Sequence, residues 1–197
     1  MSAILGLYNF QVLENNHSLF SSSFSSINGL ENILSSIIQD KRPNAVLVLA
    51  DGTTFHGRGI GATGTVTAPV VYNTDVMGYQ EILTDEAMSG RIVTFAYPHI
   101  GNTGVNQEDN RSDVVQAVGI IIRAETPVVS NFRATGDLNT FLKNAGVVGL
   151  AEIDTRQLVR HLRDHGPMVG TIVSTDAPMT EEMIQQAQAA TQVVELQ

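Results

Sequence analysis

Apolar and polar positions follow two rhythms along this chain, and the change between them predicts most of its elements. Ala45–Leu49 is an unbroken apolar run, while Val70-Val71-Tyr72, Ile92–Ala96 and Val118–Ile122 are short β-branched runs bounded by Gly, Pro or Asn. Such runs suit buried strands. Asp51-Gly52 supplies the positive φ angles of a tight hairpin turn before Thr53-Thr54-Phe55, so the region opens on two antiparallel strands. Gly78–Leu83 fits either a short helix or a turn. The later third changes to a helical period. Asp137 can cap a helix in which Leu138, Phe141, Leu142 and Ala145 share one face and Gly146 ends the run. Val147–Ala151 is the next strand, and Asp154 caps a helix from Thr155 to Asp164 with Leu158 and Leu162 inward, ending near Gly166. Thr171-Ile172-Val173 is a further strand, and Thr180 with Glu181 and Glu182 starts a last helix, its acidic first turn facing the positive end of the dipole. Alternation of strand and helix predicts an α/β fold with a mixed, partly parallel sheet and helices on one face.

Residues 1–43 break this rhythm. Ser21, Ser22, Ser23, Ser25 and Ser26 interrupt scattered apolar residues, and Asn28–Gln39 can form one amphipathic helix through Leu30, Ile33, Leu34, Ile37 and Ile38. We expect a divergent extension over 1–43, a folded domain over 44–175, and a C-terminal helix and the start of a linker over 176–197.

A formal charge of −9 and a pI near 4.8 disfavour phosphate backbones and anionic membranes as partners, because both need neutralising cations. The absence of cysteine excludes disulfides, thiolate metal sites and cysteine nucleophiles from these residues. No apolar run approaches the 18 or so residues of a bilayer span. The first 40 residues contain neither Lys nor Arg, unlike a signal or transit peptide, so a cytoplasmic protein is expected.

Several residue groups could carry chemistry. Gly59-Ile60-Gly61-Ala62-Thr63-Gly64 matches G-x-G-x-x-G, but Thr65-Val66-Thr67-Ala68-Pro69 cannot open the helix that a dinucleotide site needs, so a glycine-rich turn between strands is expected. His161 and His165 have the i, i+4 spacing of zinc ligands, but no Glu follows the first His as a zinc-protease base, and two histidines also suit the negative end of a helix. Arg156, Arg160 and Arg163 form a basic stripe, which is either a patch for an acidic partner or a solvated helix face. Glu81, Asp85 and Glu86 are carboxylates close in sequence, a pattern more typical of surface than of acid–base work. His99 and Asn102 stand in Tyr97–Gly104, a loop leaving a predicted strand, where they either contact a ligand or satisfy loop backbone groups. No active site assembles from these groups alone.

Longer segments add a resemblance. L-A-D-G-T-T-F-H-G-R-G-I-G-A-T-G near the start, G-Y-Q-E-I-L-T-D at Gly78–Asp85, Y-P-H-I-G-N-T-G-V-N at Tyr97–Asn106, S-N-F-R at Ser130–Arg133 and I-D-T-R-Q-L-V-R-H-L-R at Ile153–Arg163 occur in order. Residues from about Asn44 to Ser174 thereby resemble the N-terminal domain of the small chain of glutamine-dependent carbamoyl-phosphate synthetase. The resemblance implies a three-layer swivelling β/β/α domain that docks on a large subunit. It further implies a separate class I amidotransferase domain or chain, whose Cys-His-Glu constellation releases ammonia from glutamine, as a second partner. It places ATP and Mg in the large subunit, with no cofactor, metal or catalytic residue in this chain, and serves arginine and pyrimidine biosynthesis as part of a ligase complex. These residues would then be a scaffold lacking the amidotransferase domain. At the position of the family's glutamine-site Ser this chain has Ala87, which removes a hydroxyl contact, and Asp75-Val76-Met77 departs from the usual small residue, apolar residue and Thr. Those departures leave an alternative open: a stand-alone small-molecule-binding or regulatory module derived from the same domain.

Overall fold

The structure is a computed structural model and describes residues 43–126 and 129–195. The expected Asn28–Gln39 helix lies outside the described residues. In chain order the elements are β1 (Ala45–Leu49), β2 (Thr54–Gly61), β3 (Gly64–Asn73), α1 (Tyr79–Leu83), β4 (Ile92–Phe95), β5 (His99–Ile100), β6 (Gly119–Ile121), β7 (Ala124–Glu125), α2 (Leu138–Asn144), β8 (Val148–Ala151), α3 (Thr155–His165), β9 (Met168–Ser174) and α4 (Glu181–Glu195), with a 3₁₀ turn at Glu86–Met88.

Seven strands close into a barrel in the order β1-β2-β8-β6-β4-β3-β9, while β5 and β7 form a separate parallel pair. The sheet is mixed, as expected. β3, β4, β6 and β8 pair in parallel, whereas β2, β1, β9 and β3 pair antiparallel. Along that second wall Val46 lies opposite His56 and Val173, and Thr67 lies opposite Thr171. β1, β3, β4, β6 and β8 therefore all finish at one rim, where β2 and β9 begin.

β1 is apolar throughout because both its faces are covered. Ala45, Leu47 and Leu49 enter the interior with Phe55, Ile92, Leu150 and Ile172, where Leu158 and Leu162 of α3 also pack. Val46 and Val48 face outward and are covered by Met179, Ile184 and Ala187. A third cluster packs Tyr79 and Leu83 of α1 and Leu138 and Leu142 of α2 on Val93, Phe95 and Ile120 of the parallel wall. The expectation of helices on one face is corrected here: α1 and α2 cover the parallel wall, and α4 covers β1 and β9 of the antiparallel one. Val46 and Val48 explain why, since they would otherwise be exposed at a cost of roughly 1.5–3 kcal/mol each.

The capping expectations hold. Asp137 accepts from Thr140 N at 2.8 Å, Asp154 accepts from Gln157 N at 3.0 Å, and Gly146 and Gly166 adopt φ values of 70° and 92° after their helices. The turn expectation is met only in part: of Asp51-Gly52 only Gly52 takes a positive φ, 86°, while Asp51 closes the β1–β2 turn by accepting from Thr53 N at 2.9 Å.

Candidate functional site

Gly59 and Gly61 lie in β2, and Gly64 opens β3 with no helix after it. The glycine motif is therefore a strand–turn–strand, as expected. A Cβ on Gly59 would sit 2.2 Å from Ser174 Oγ, and Gly61 has φ 70° with the Val147 carbonyl 2.4 Å from where its Cβ would be. Close strand approach, rather than a phosphate, explains these glycines.

Among the described residues, the polar side chains converge on the loops around α1. The helix is short and enters through Gly78, whose φ of 85° is left-handed. Gln80 is 3% exposed and clasps the 106–110 turn: its Nε2 donates to the Asn106 carbonyl and, at 2.6 Å, to Asn110 Oδ1, while its Oε1 accepts from Asn106 N at 3.0 Å. Asn106 Oδ1 accepts from the backbone N of Glu108 and Asp109, both at 2.9 Å. One residue earlier, Tyr79 OH donates to the Gly104 carbonyl and accepts from Thr103 Oγ1 at 3.0 Å. Burial raises the Tyr79 phenol above its ordinary value, so it stays a neutral donor.

Thr84 continues the brace. Its hydroxyl donates to the Gln80 carbonyl at 2.8 Å and accepts from Arg111 N at 2.9 Å, and its carbonyl accepts from Ser112 Oγ at 2.6 Å. Asp85 accepts from Ala87 N at 2.9 Å and pairs with Arg111; the Ala87 amide first, then the guanidinium, holds its carboxyl below the ordinary range. An acid stabilised as its anion in this way is a cap and a tether, not a proton donor. Ala87 is exposed in the 3₁₀ turn that Asp85 caps.

The S-N-F-R segment joins the same network. Ser130 N donates to the Asn102 carbonyl at 3.0 Å, Arg133 N to Asn131 Oδ1 at 3.1 Å and Thr135 N to the Val105 carbonyl at 2.8 Å. Arg133 pairs with Glu108 at 2.7 Å and Asp109 at 3.2 Å. Between these fixed points Phe132 is 97% exposed, above a cleft of about 600 Å³ lined with Asn106, Gln107, Glu108, Arg133 and Thr135. Val76 and Met77, in the departing Asp75-Val76-Met77 segment, are also exposed, while Asp75 N donates to Asn73 Oδ1 at 2.7 Å and so closes a local turn.

The other expected groups do not join this network as reacting centres. His161 and His165 stack at 4.4 Å, but His161 Nε2 meets Asp51 Oδ2 at 2.6 Å and His165 Nδ1 meets the His161 carbonyl at 3.0 Å. Asp51 lies below its ordinary value although partial burial pushes it up, because Thr53 and then His161 stabilise the anion. Among the described residues no group of three His, Asp or Glu could hold a metal. His99 is exposed and edge-on to Tyr97 at 6.4 Å, and Asn102 contributes its backbone carbonyl to Ser130. Glu81 and Glu86 form no ion pair among the described residues, and Arg156, Arg160 and Arg163 are exposed on α3. No described helix is long and apolar enough to cross a membrane.

Gln80, Asn106, Thr84 and Ser112 were not anticipated as a group. The available signal was their polarity inside otherwise apolar or motif-bearing segments, G-Y-Q-E above all.

Fold and loops together define a mixed-barrel domain with cross-braced loops, in which no described hydroxyl is hydrogen-bonded to a histidine. Residues 47–172 match the family described as carbamoyl-phosphate synthase small chain, CPSase domain. The chain belongs to that family. It is 50% identical over 146 residues to the carbamoyl phosphate synthase small chains of Salmonella typhi and of Escherichia coli (strain K12), covering 74% of this chain and 38% of each relative. Identity to the small chain of Polynucleobacter asymbioticus is 53% over 135 residues, 68% of this chain and 34% of that one. The chain thus spans well under half the length of these curated relatives. A solved aminopeptidase from Aneurinibacillus sp. strain AM-1 matches with a TM-score of 0.37 and 19% identity, over 71% of this chain and 32% of that one, too low to inform the function.

Proposed function

We propose that residues 44–175 are a docking and scaffold domain of a glutamine-hydrolysing carbamoyl-phosphate synthetase small subunit, holding the parts of a ligase complex in register so that glutamine-derived ammonia reaches the large subunit. The observation that carries the docking role is Phe132, an aromatic side chain 97% exposed on a loop whose backbone is pinned at Ser130, Arg133 and Thr135. An aromatic anchor on a preorganised loop loses little conformational freedom on association, which is how interfaces concentrate their energy. Family membership points to the large subunit as the partner.

In this reading the chemistry belongs elsewhere. These 197 residues contain no cysteine, so the thiolate step is assigned to a separate amidotransferase domain or chain, and ATP and Mg to the large subunit. Exposed Ala87 offers no hydroxyl to glutamine, so that contact is lost. The three-layer β/β/α arrangement is part of the same proposal: the antiparallel wall, the parallel wall and the α1–α2 layer supply its layers, with α4 added outside. A cytoplasmic location and a role in arginine or pyrimidine synthesis follow from this assignment.

Titration calorimetry of the chain with a carbamoyl-phosphate synthetase large subunit tests the reading. A one-to-one complex is expected, with Phe132→Ala weakening it by about 2 kcal/mol or more if Phe132 is an anchor. No detectable association overturns it. The cleft beside Phe132 favours a second reading, a small-molecule-binding or regulatory module; a metabolite that raises the melting temperature and is blocked by Thr135→Trp would support that reading, and a flat screen would remove it.

A further inference from the structure

We infer that the outer face of α3, through Arg156, Arg160 and Arg163, is a docking surface for a carboxylate-rich face of the partner protein. The inference rests on the docking role proposed above and adds a second contact to it. Three of the chain's 11 basic residues fall within eight positions of this helix, in a chain of formal charge −9. Spacings of four and three residues place them on one stripe. The opposite stripe carries Thr155, Leu158 and Leu162, all buried, so the arginine side chains face solvent.

Helix stability accounts for Arg163, which stands in the last turn beside the negative end of the dipole, but not for the other two. Arg156 stands in the first turn, where the positive end of the dipole favours an acid, and that turn contains no acidic residue. Arg156 and Arg160 are like charges at i, i+4, and Arg160 and Arg163 at i, i+3, both mildly destabilising spacings. Arg156 and Arg160 form no ion pair among the described residues. Arg163 meets Asp164 at 3.2 Å, but both side chains are more than half exposed, so water screens that pair. A positive stripe in which Arg156 and Arg160 stand against these local costs is complementary to carboxylates.

The platform beneath it is rigid. Asp154 caps the first turn, Leu158 and Leu162 enter the barrel interior, and His161 is tied to Asp51 of the β1–β2 turn. α3 leaves the barrel from β8, at the rim where the parallel strands finish, and the 129–136 loop belongs to the connection that leaves the same rim from β6. The surrounding negative charge disfavours a nucleic acid as the occupant.

Binding to a carbamoyl-phosphate synthetase large subunit should be measured across a salt series for wild type, R156E/R160E/R163E, the neutral R156Q/R160Q/R163Q, and the control Arg91→Glu, with melting curves confirming that each folds. The charge reversal should weaken association by about tenfold or more and flatten its salt dependence, the neutral variant should fall between, and the control should bind as wild type. Unchanged affinity and salt dependence in both triple variants, with wild type still binding, overturns this inference and leaves the docking role standing. No binding by wild type overturns both. Arginine-dependent binding to a single-stranded RNA 20-mer without arginine-dependent binding to the large subunit also overturns it.

Discussion

Replacing Gln80 by Leu keeps the volume of a buried side chain and removes three hydrogen bonds from the centre of the loop brace. The Asn106 N–H and carbonyl and the Asn110 side-chain oxygen lose their partner, and Gln80 and Asn106 are only 3% and 8% exposed, so water cannot readily substitute. Each orphaned buried group costs about 1–3 kcal/mol, and burying a Leu in place of an amide returns about 1–2 kcal/mol. With partial relaxation of the exposed 107–108 backbone, the net loss is about 2–4 kcal/mol. For a domain of this size that lowers the melting temperature by about 4–16 °C. Urea unfolding followed by circular dichroism reads the same quantity as a lower midpoint with an unchanged slope. A loss below about 1 kcal/mol would refute the claim that Gln80 holds the 106–110 turn.

Other substitutions probe separate features. Gly59→Ala places a Cβ 2.2 Å from Ser174 Oγ and should cost about 1–3 kcal/mol in urea unfolding, with S174A added in a double-mutant cycle recovering part of the loss. Asp137→Ala removes the cap of α2 and should cost about 1 kcal/mol. The benefit from Asp137 is greatest above the unfolded carboxyl pKa, because the Thr140 amide lowers its folded value, so the ionic contribution should fade as pH drops through that lowered value. Glu125 behaves in the opposite way: burial, then Asp137, raises its folded pKa, so its ionisation penalises the fold above that value and vanishes below the unfolded one. Glu125→Gln should therefore melt higher than wild type at neutral pH, with the gap closing near pH 4 in a pH series of melting curves.

Local signals made some of this architecture legible. The Asp137 cap, the Leu138–Leu142 spacing and Gly146 placed α2 within a residue or two, and the apolar Ala45–Leu49 run marked β1, though not the helix that covers its outer face. Barrel closure was not legible, because it depends on β9 pairing with both β1 and β3, and sequence period carries no record of partners so distant. β3 was anticipated only over Val70–Tyr72: the residues before Val70 include Gly64 and Pro69, ordinary loop signals, and Pro69 is tolerated where β3 has β9 beside it but pairing with β4 begins only at Val70. The two-residue strands β5 and β7 are too short to show alternation. At the candidate site the motif segments were visible, but their mutual bracing was not. A buried Gln has no periodic signature, and its partners Asn106 and Asn110 lie on a loop nearly thirty residues away. Resemblance located Ala87, whose exposed place in an Asp85-capped turn emerged only from the folded chain.

The central claim is that these residues dock and position while the glutamine chemistry is done by others. The most direct measurement is ammonia release from glutamine by the purified chain alone, followed with a coupled glutamate dehydrogenase assay. The account predicts a rate indistinguishable from the protein-free blank at every chain concentration. Ammonia release that scales with chain concentration and survives repurification would contradict it.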